Sequence, residues 1–85
     1  MTRYKILYWQ EIPTQVRAED EEDEVTLFLA ANMERVDQVA MQRGFTQSED
    51  YLAQWKWSEE QEREGSAEAV AEVVRASLES EWRQR

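Results

Sequence analysis

The chain opens with side chains that follow the two-residue period of a β-strand, from Arg3 to Gln10. One face of this segment carries Tyr4, Ile6 and Tyr8, and the other carries Lys5, Leu7 and Trp9. Because both faces are largely apolar, the pattern predicts a central strand or a strand whose second face is covered.

Two further strands are predicted in the first third of the chain. Ile12-Pro13 predicts a turn or a sheet edge, because proline cannot donate a hydrogen bond to a strand ladder. A second strand then covers Thr14–Ala18, and a third covers Val25–Leu29. Six consecutive acidic residues, Glu19–Glu24, separate them and favour a solvated hairpin loop. This part of the chain is therefore predicted to form an antiparallel meander.

The apolar spacing then changes from that of a strand to that of a helix. Met33, Val36 and Ala40 recur on one helical face. Asn32 is predicted as the N-cap, because its side-chain oxygen can accept a hydrogen bond from a free backbone N–H of the first turn. Gly44 is predicted to follow the helix in the left-handed conformation that commonly ends one.

The segment from Phe45 to Glu60 allows two interpretations. Alternating Tyr51, Ala53, Trp55 and Trp57 favour a strand from about Leu52 to Ser58. Alternatively, Ser48 caps a short helical turn through Asp50 to Ala53. The charged segment Glu59–Gly65 that follows is predicted to be a loop.

A second helix is predicted over residues of about 67–83. Ser66 stands at its N-cap position, and Glu68 lies in the first turn, where the helix dipole favours a negative charge. Val70, Val74 and Leu78 form its apolar stripe.

These elements occur in the order β-β-β-α-β-α and predict an α+β fold. Residues 1–85 are long enough for one domain and one core only. A small antiparallel sheet with two amphipathic helices packed on one face gives each helix an apolar surface to cover.

Charge and composition exclude several classes of partner. The net charge is −9, from 19 acidic and 10 basic residues, so nucleic acid and anionic membrane surfaces would repel the domain. No apolar run approaches the roughly 18 residues that a spanning helix needs, and we expect no signal peptide. Without cysteine, a disulfide-stapled secreted scaffold is not expected, so the sequence favours the cytoplasm.

The same composition removes most catalytic chemistry. The chain contains no histidine and no cysteine, and its two glycines cannot build a phosphate-binding loop. We therefore expect a non-enzymatic protein without a cofactor or a metal. The acidic run could bind Ca²⁺ weakly, but it lacks the ligand spacing of an EF-hand, so a solvated loop is the favoured interpretation. It could also steer a basic partner surface.

The sharpest candidate feature is a set of aromatic side chains larger than one small core needs. Core packing accounts for some of Tyr8, Trp9, Tyr51, Trp55 and Trp57, and any remainder predicts an exposed docking patch for another protein. The predicted partner patch comprises Trp9, Ile12, Pro13, Trp55, Trp57 and Arg63. Two alternatives remain open at this stage: aromatics lining a pocket of a small-molecule carrier or enzyme-complex subunit, and a homo-oligomer that buries the patch against itself.

Four segments carry a family resemblance: residues 3–16 (RYKILYWQEIPTQV), the pair Ala40-Met41, residues 50–57 (DYLAQWKW) and residues 61–67 (QEREGSA). In this order they resemble the small bacterial "virulence factor" domain family, from Arg3 to about Leu78. The resemblance implies an accessory or adaptor role, because the family resembles both stand-alone proteins and modules joined to helical-repeat and iron–sulfur-scaffold-type domains. It transfers no catalytic or ligand-binding residue. The acidic run and the tail after Leu78 stand outside the family's pattern.

Overall fold

A central strand organises the computed structural model, which describes residues 1–45 and 48–83. This strand, β1 (Thr2–Trp9), pairs antiparallel with β2 (Ile12–Glu19) on one side, and β2 pairs with β3 (Glu24–Phe28). On its other side, β1 pairs with two short strands, β4 (Trp55–Trp57) and β5 (Gln61–Arg63). The described helices are α1 (Ala30–Gln42), α2 (Ser48–Leu52) and α3 (Ala67–Arg83). None of them combines the length and apolar character that crossing a bilayer requires.

The α+β class and the antiparallel sheet confirm the prediction, and the differences lie in short elements. The segment with two interpretations contains both of them, since the helix α2 precedes the strand β4. The predicted loop Glu59–Gly65 contains β5, which was missed because its three residues are all exposed and show no apolar pattern. Pairing with the start of β1, and not burial, holds β5 in the sheet.

The prediction for Ile12 and Pro13 was wrong, because both lie inside β2. The reversal occurs at residues 10–11 instead, where Gln10 has a positive φ of 53°. Pro13 is tolerated because a β-bulge interrupts the ladder here: Leu7 lies opposite Gln15, whereas Tyr8 lies opposite Pro13. The extra residue, Thr14, donates its hydroxyl to the Leu7 carbonyl at 2.9 Å.

The two ends of α1 differ in how well the sequence predicted them. The helix begins at Ala30, so Asn32 is not its N-cap; Asn32 is buried and donates its amide to the Pro13 carbonyl at 3.0 Å. At the other end, Gly44 has the expected positive φ of 81°. The N–H groups of Gly44 and Phe45 donate to the carbonyls of Met41 and Ala40, which is the Schellman arrangement.

The buried side chains form two clusters. The first packs α3 against the sheet and comprises Ile6, Val16, Ala18, Leu29, Ala67, Val70, Ala71 and Val74. The second lies at the β1–β2 hairpin end under α1 and comprises Trp9, Ile12, Val36 and Ala40. Ser66 caps α3 as predicted, accepting the Ala69 N–H at 3.2 Å. Met33, expected on the apolar face of α1, is 40% exposed, because the polar Asn32 occupies the buried position instead.

Candidate functional site: the outer face of the sheet

The predicted partner patch does not form as one surface. Trp9 and Ile12 are 0% exposed, and Pro13 is fully buried as well. Val36 and Ala40 of α1 cover the first two. The prediction of exposure was therefore wrong for these three residues, because the first helix packs over the hairpin that carries them.

Trp9 is the centre of an aromatic cluster rather than a docking residue. Its ring meets Phe45 edge-on at 5.6 Å and Tyr51 at 5.7 Å between centroids, and Tyr51 in turn meets Trp55 at 6.0 Å. The indole Nε1–H of Trp9 donates to the Tyr51 carbonyl at 3.0 Å. Most of the aromatic excess thus fills the second cluster. The aromatic residues that were expected to line a pocket therefore pack against one another. The small-molecule carrier stays a prediction.

Two members of the predicted patch are exposed, but they lie apart. Trp57 is 42% exposed and pairs with Leu7, whereas Arg63 is exposed and pairs with Thr2. These pairing positions are five residues apart along β1, or about 17 Å at the rise of an extended strand. Thr2 is buried and Leu7 is not, so the two pairs also belong to opposite faces. Trp55 is half-buried against the second cluster.

Trp57 belongs instead to a surface that we call the outer face. Cross-strand register defines its first row, because residues directly opposite one another share a face. This row runs Trp57, Leu7, Gln15 and Phe28 across four strands. The next row runs Lys5, Arg17 and Thr26. None of these seven side chains is buried, and Phe28 is 52% exposed.

The outer face pairs apolar groups with cations. The Lys5 ammonium lies 4.6 Å from the centroid of the Trp57 ring, within the range of a cation–π contact. Its neighbour Arg17 forms an ion pair with Glu24 at 2.8 Å, and the hydrogen bond to Glu24 raises the pKa of the Arg17 guanidinium. An aromatic–aliphatic row is therefore flanked by the Lys5 ammonium and by the Arg17–Glu24 ion pair, in a chain whose net charge is −9.

The acidic run is more than a solvated loop at one position. Asp20 accepts hydrogen bonds from the backbone N–H groups of Glu22 and Asp23 at 2.8 and 2.7 Å, and from that of Ala67 at 2.9 Å. These bonds, the one from Ala67 foremost, lower the pKa of the Asp20 carboxyl. Asp20 thus ties the β2–β3 turn to the first turn of α3. The sequence could not show which of the six acidic residues has this role, because the contact with Ala67 forms only in the folded chain.

A second surface, which the sequence pattern did not predict, is a groove of about 570 Å³ between α1 and the C-terminal half of α3. It is lined by Phe28, Leu29, Ala30, Ala31, Asn32, Arg35, Arg75, Glu79 and Trp82. The Arg35 guanidinium lies 5.3 Å from the Trp82 ring centroid. These groups come together only because α1 and α3, which are far apart in sequence, lie side by side in the fold.

These features define a small α+β domain in which part of one sheet face, from Trp57 to Phe28, is open to solvent. The chain belongs to the family described as Virulence factor, whose model matches residues 7–85. This confirms the resemblance found in the sequence. The match spans the acidic run and the residues after Leu78, so the prediction that both stand outside the family's pattern was wrong. Searches of the curated proteins and of the solved structures each gave no match.

Proposed function

We propose that this virulence-factor-family protein is a non-enzymatic interaction or accessory domain that docks a partner protein on its outer face. The observation that supports the proposal is the row of Trp57, Leu7 and Phe28, which stands open to solvent across the sheet. Large apolar side chains grouped on a surface, with an exposed Trp among them, are typical of protein contact sites. The proposal keeps the cytoplasmic location that the cysteine-free sequence favours.

The charges of the outer face indicate the chemistry of the partner. Lys5 and Arg17 stand directly beside the apolar row. A partner segment with apolar side chains next to a carboxylate would cover the row and pair with Lys5. The acidic run in the β2–β3 turn would repel the carboxylate of such a segment. It would thereby orient the segment and tune its rate of association.

The experiment compares the wild type with Trp57→Ala and Lys5→Glu as immobilised baits, followed by calorimetric titration of any protein retained. Trp57→Ala should weaken binding at least tenfold, as expected for a central aromatic contact, and Lys5→Glu should weaken it most at low salt. Met41→Ala is the matched control, because Met41 is 75% exposed on α1, away from the outer face. Equal affinity of the wild type and Trp57→Ala would refute the proposal.

A further inference from the structure

The outer edge of β3 is the part of the sheet that remains unpaired. β3 ends the strand order, and no other described strand pairs with that edge. The Leu29 N–H donates to the Thr14 carbonyl, which makes these residues a hydrogen-bonded pair of the antiparallel ladder. Because such pairs alternate along the ladder, Val25 and Leu27 bond to β2. The backbone groups of the intervening residues point outward.

These intervening residues are Glu24, Thr26 and Phe28, and they leave the edge open to pairing. Proteins usually protect an edge with a lysine, a proline, a bulge or a very short strand. The opposite edge of the sheet has such protection, because it is divided into β4 and β5 with only three residues each. β3 has five residues in regular register with β2, and its one charge, on Glu24, is neutralised by Arg17.

The two ends of β3 carry opposite charges. The acidic run precedes it, and Glu21, Glu22 and Asp23 are exposed there. The groove between α1 and α3 follows it and holds two guanidinium groups and one carboxylate, that of Glu79, so its charge is positive on balance. Arg75 has a 3.6 Å ion pair with Glu79, whereas Arg35 has no ion pair with any described residue. The two ends lie about 14 Å apart along the strand.

We propose that a second copy of this chain pairs with the outer edge of β3 in the antiparallel direction, about a two-fold axis at Thr26. Antiparallel pairing brings the start of one β3 beside the end of the other. The exposed acidic residues 21–23 of each copy then enter the groove of the partner copy, where Arg35 and Arg75 lie. The two sheets become one continuous sheet.

The sequence of β3 suits this self-pairing. Thr26 meets its own counterpart, and Glu24 meets Phe28, so no like charges face each other across the strands. All three outward residues exchange backbone hydrogen bonds in this register. On the other face, the half-buried Val25 and Leu27 meet each other and extend the first core cluster across the interface. The pairing engages Phe28 at one end of the outer face but leaves Trp57, Leu7 and Lys5 uncovered, so it can be tested separately from the proposed function.

The test is sedimentation equilibrium of the whole chain over a wide concentration range, comparing the wild type with Thr26→Pro and Thr26→Val. Thr26→Pro removes an outward N–H but no β2–β3 hydrogen bond, as is tolerated on an edge strand. The wild type and Thr26→Val should approach twice the chain mass, whereas Thr26→Pro should remain at one chain mass with unchanged far-UV circular dichroism. A wild type that stays monomeric at its highest concentration, or a Thr26→Pro variant that dimerises equally well, would overturn the proposal.

A charge exchange tests the register. Arg35→Glu and Glu22→Arg should each weaken the dimer, and combining both substitutions in one chain should restore much of it, because the two charges meet again with reversed signs. Additive weakening in the double variant would contradict the placement of the acidic loop in the groove. Neither substitution touches Trp57, so loss of partner binding in the Trp57→Ala comparison and loss of the dimer are separate results.

Discussion

The carboxylate of Asp20 accepts a hydrogen bond from the backbone N–H of Ala67 at 2.9 Å, and this contact closes the fold between residues far apart in sequence. The N–H groups of a first helical turn lack partners within the helix. Ser66 satisfies one of them from its own side chain, and Asp20 satisfies another from the β2–β3 turn. The start of α3 is thus held by a local cap and by a long-range one.

Asp20→Asn should lower the stability of the fold at neutral pH and make that stability less dependent on pH. The backbone N–H groups lower the pKa of Asp20 in the folded protein. The ionised carboxylate therefore stabilises the fold above the unfolded pKa of about 3.9, and this contribution is lost as the pH falls through the lower folded pKa. Thermal unfolding should be followed between neutral and strongly acidic pH. The Tm of the wild type and that of Asp20→Asn should converge in acid.

Glu21→Gln is the matched control for this prediction, because it removes one charge from the same acidic run without removing a hydrogen bond to α3. It should leave the slope of stability against pH close to that of the wild type. If Glu21→Gln and Asp20→Asn behave alike, general charge repulsion, and not the cap, accounts for the effect.

Trp9 and Trp57 should respond very differently to truncation. Trp9→Ala removes a fully buried ring and should cost about 3–5 kcal/mol in the free energy of unfolding, which is a large part of the stability of a small domain. Trp57→Ala removes an exposed cation–π contact with Lys5 and should cost about 0.5–1 kcal/mol. Urea unfolding measures both. Equal costs would mean that Trp57 belongs to the core.

Asn32→Ala should destabilise the fold by about 1–3 kcal/mol, because it leaves the Pro13 carbonyl without its buried donor. Gln38→Ala, on the exposed side of α1, should change the free energy of unfolding by less than about 0.5 kcal/mol. If Asn32 were a simple helix cap, Asn32→Ser would keep wild-type stability. We expect Asn32→Ser to destabilise the fold about as much as Asn32→Ala, because the shorter side chain cannot reach the Pro13 carbonyl in β2.

The two glycines with positive φ should differ in their tolerance of alanine. A Cβ at Gly44 would meet nothing within 4 Å, so Gly44→Ala carries only the left-handed backbone cost, about 1–2 kcal/mol. Gly65 has a φ of 124°, and its Cβ would lie 3.4 Å from Cγ2 of Val70, so Gly65→Ala should cost more. Gly44→Asn should be milder than Gly44→Ala. Equal midpoints of thermal unfolding for the two alanine variants would contradict this account.

Regular periodicity was sufficient to predict the main elements of the fold. β1, β3 and α3 appear close to the predicted bounds, because the apolar residues of each recur with the period of its secondary structure. The bulge at Thr14 was not predictable, since it depends on how β1 and β2 pair around Pro13. Asn32 satisfied the rules for an N-cap locally, but a tertiary hydrogen bond determined its position.

The candidate site was predicted less well, because exposure depends on which elements cover a residue. Trp9 and Trp57 have the same pattern in the sequence, an aromatic residue in an apolar strand. Trp9 is buried because Phe45 and Tyr51 pack on it, and Trp57 is exposed because the neighbouring row of the sheet has no cover. The groove beside Arg35 could not be predicted, because it depends on how α1 and α3 pack, and the spacing of residues in the sequence does not show this.

The most direct test of docking on the outer face is site-specific photo-crosslinking in cells. A photoreactive amino acid replaces Gln15 on the outer face or, as the control, Ser77 on the exposed side of α3. We expect a crosslinked partner protein from position 15, lost when Trp57→Ala is added, and none from position 77. Crosslinks from position 77 alone, or crosslinks from position 15 that persist undiminished with Trp57→Ala, would contradict the account.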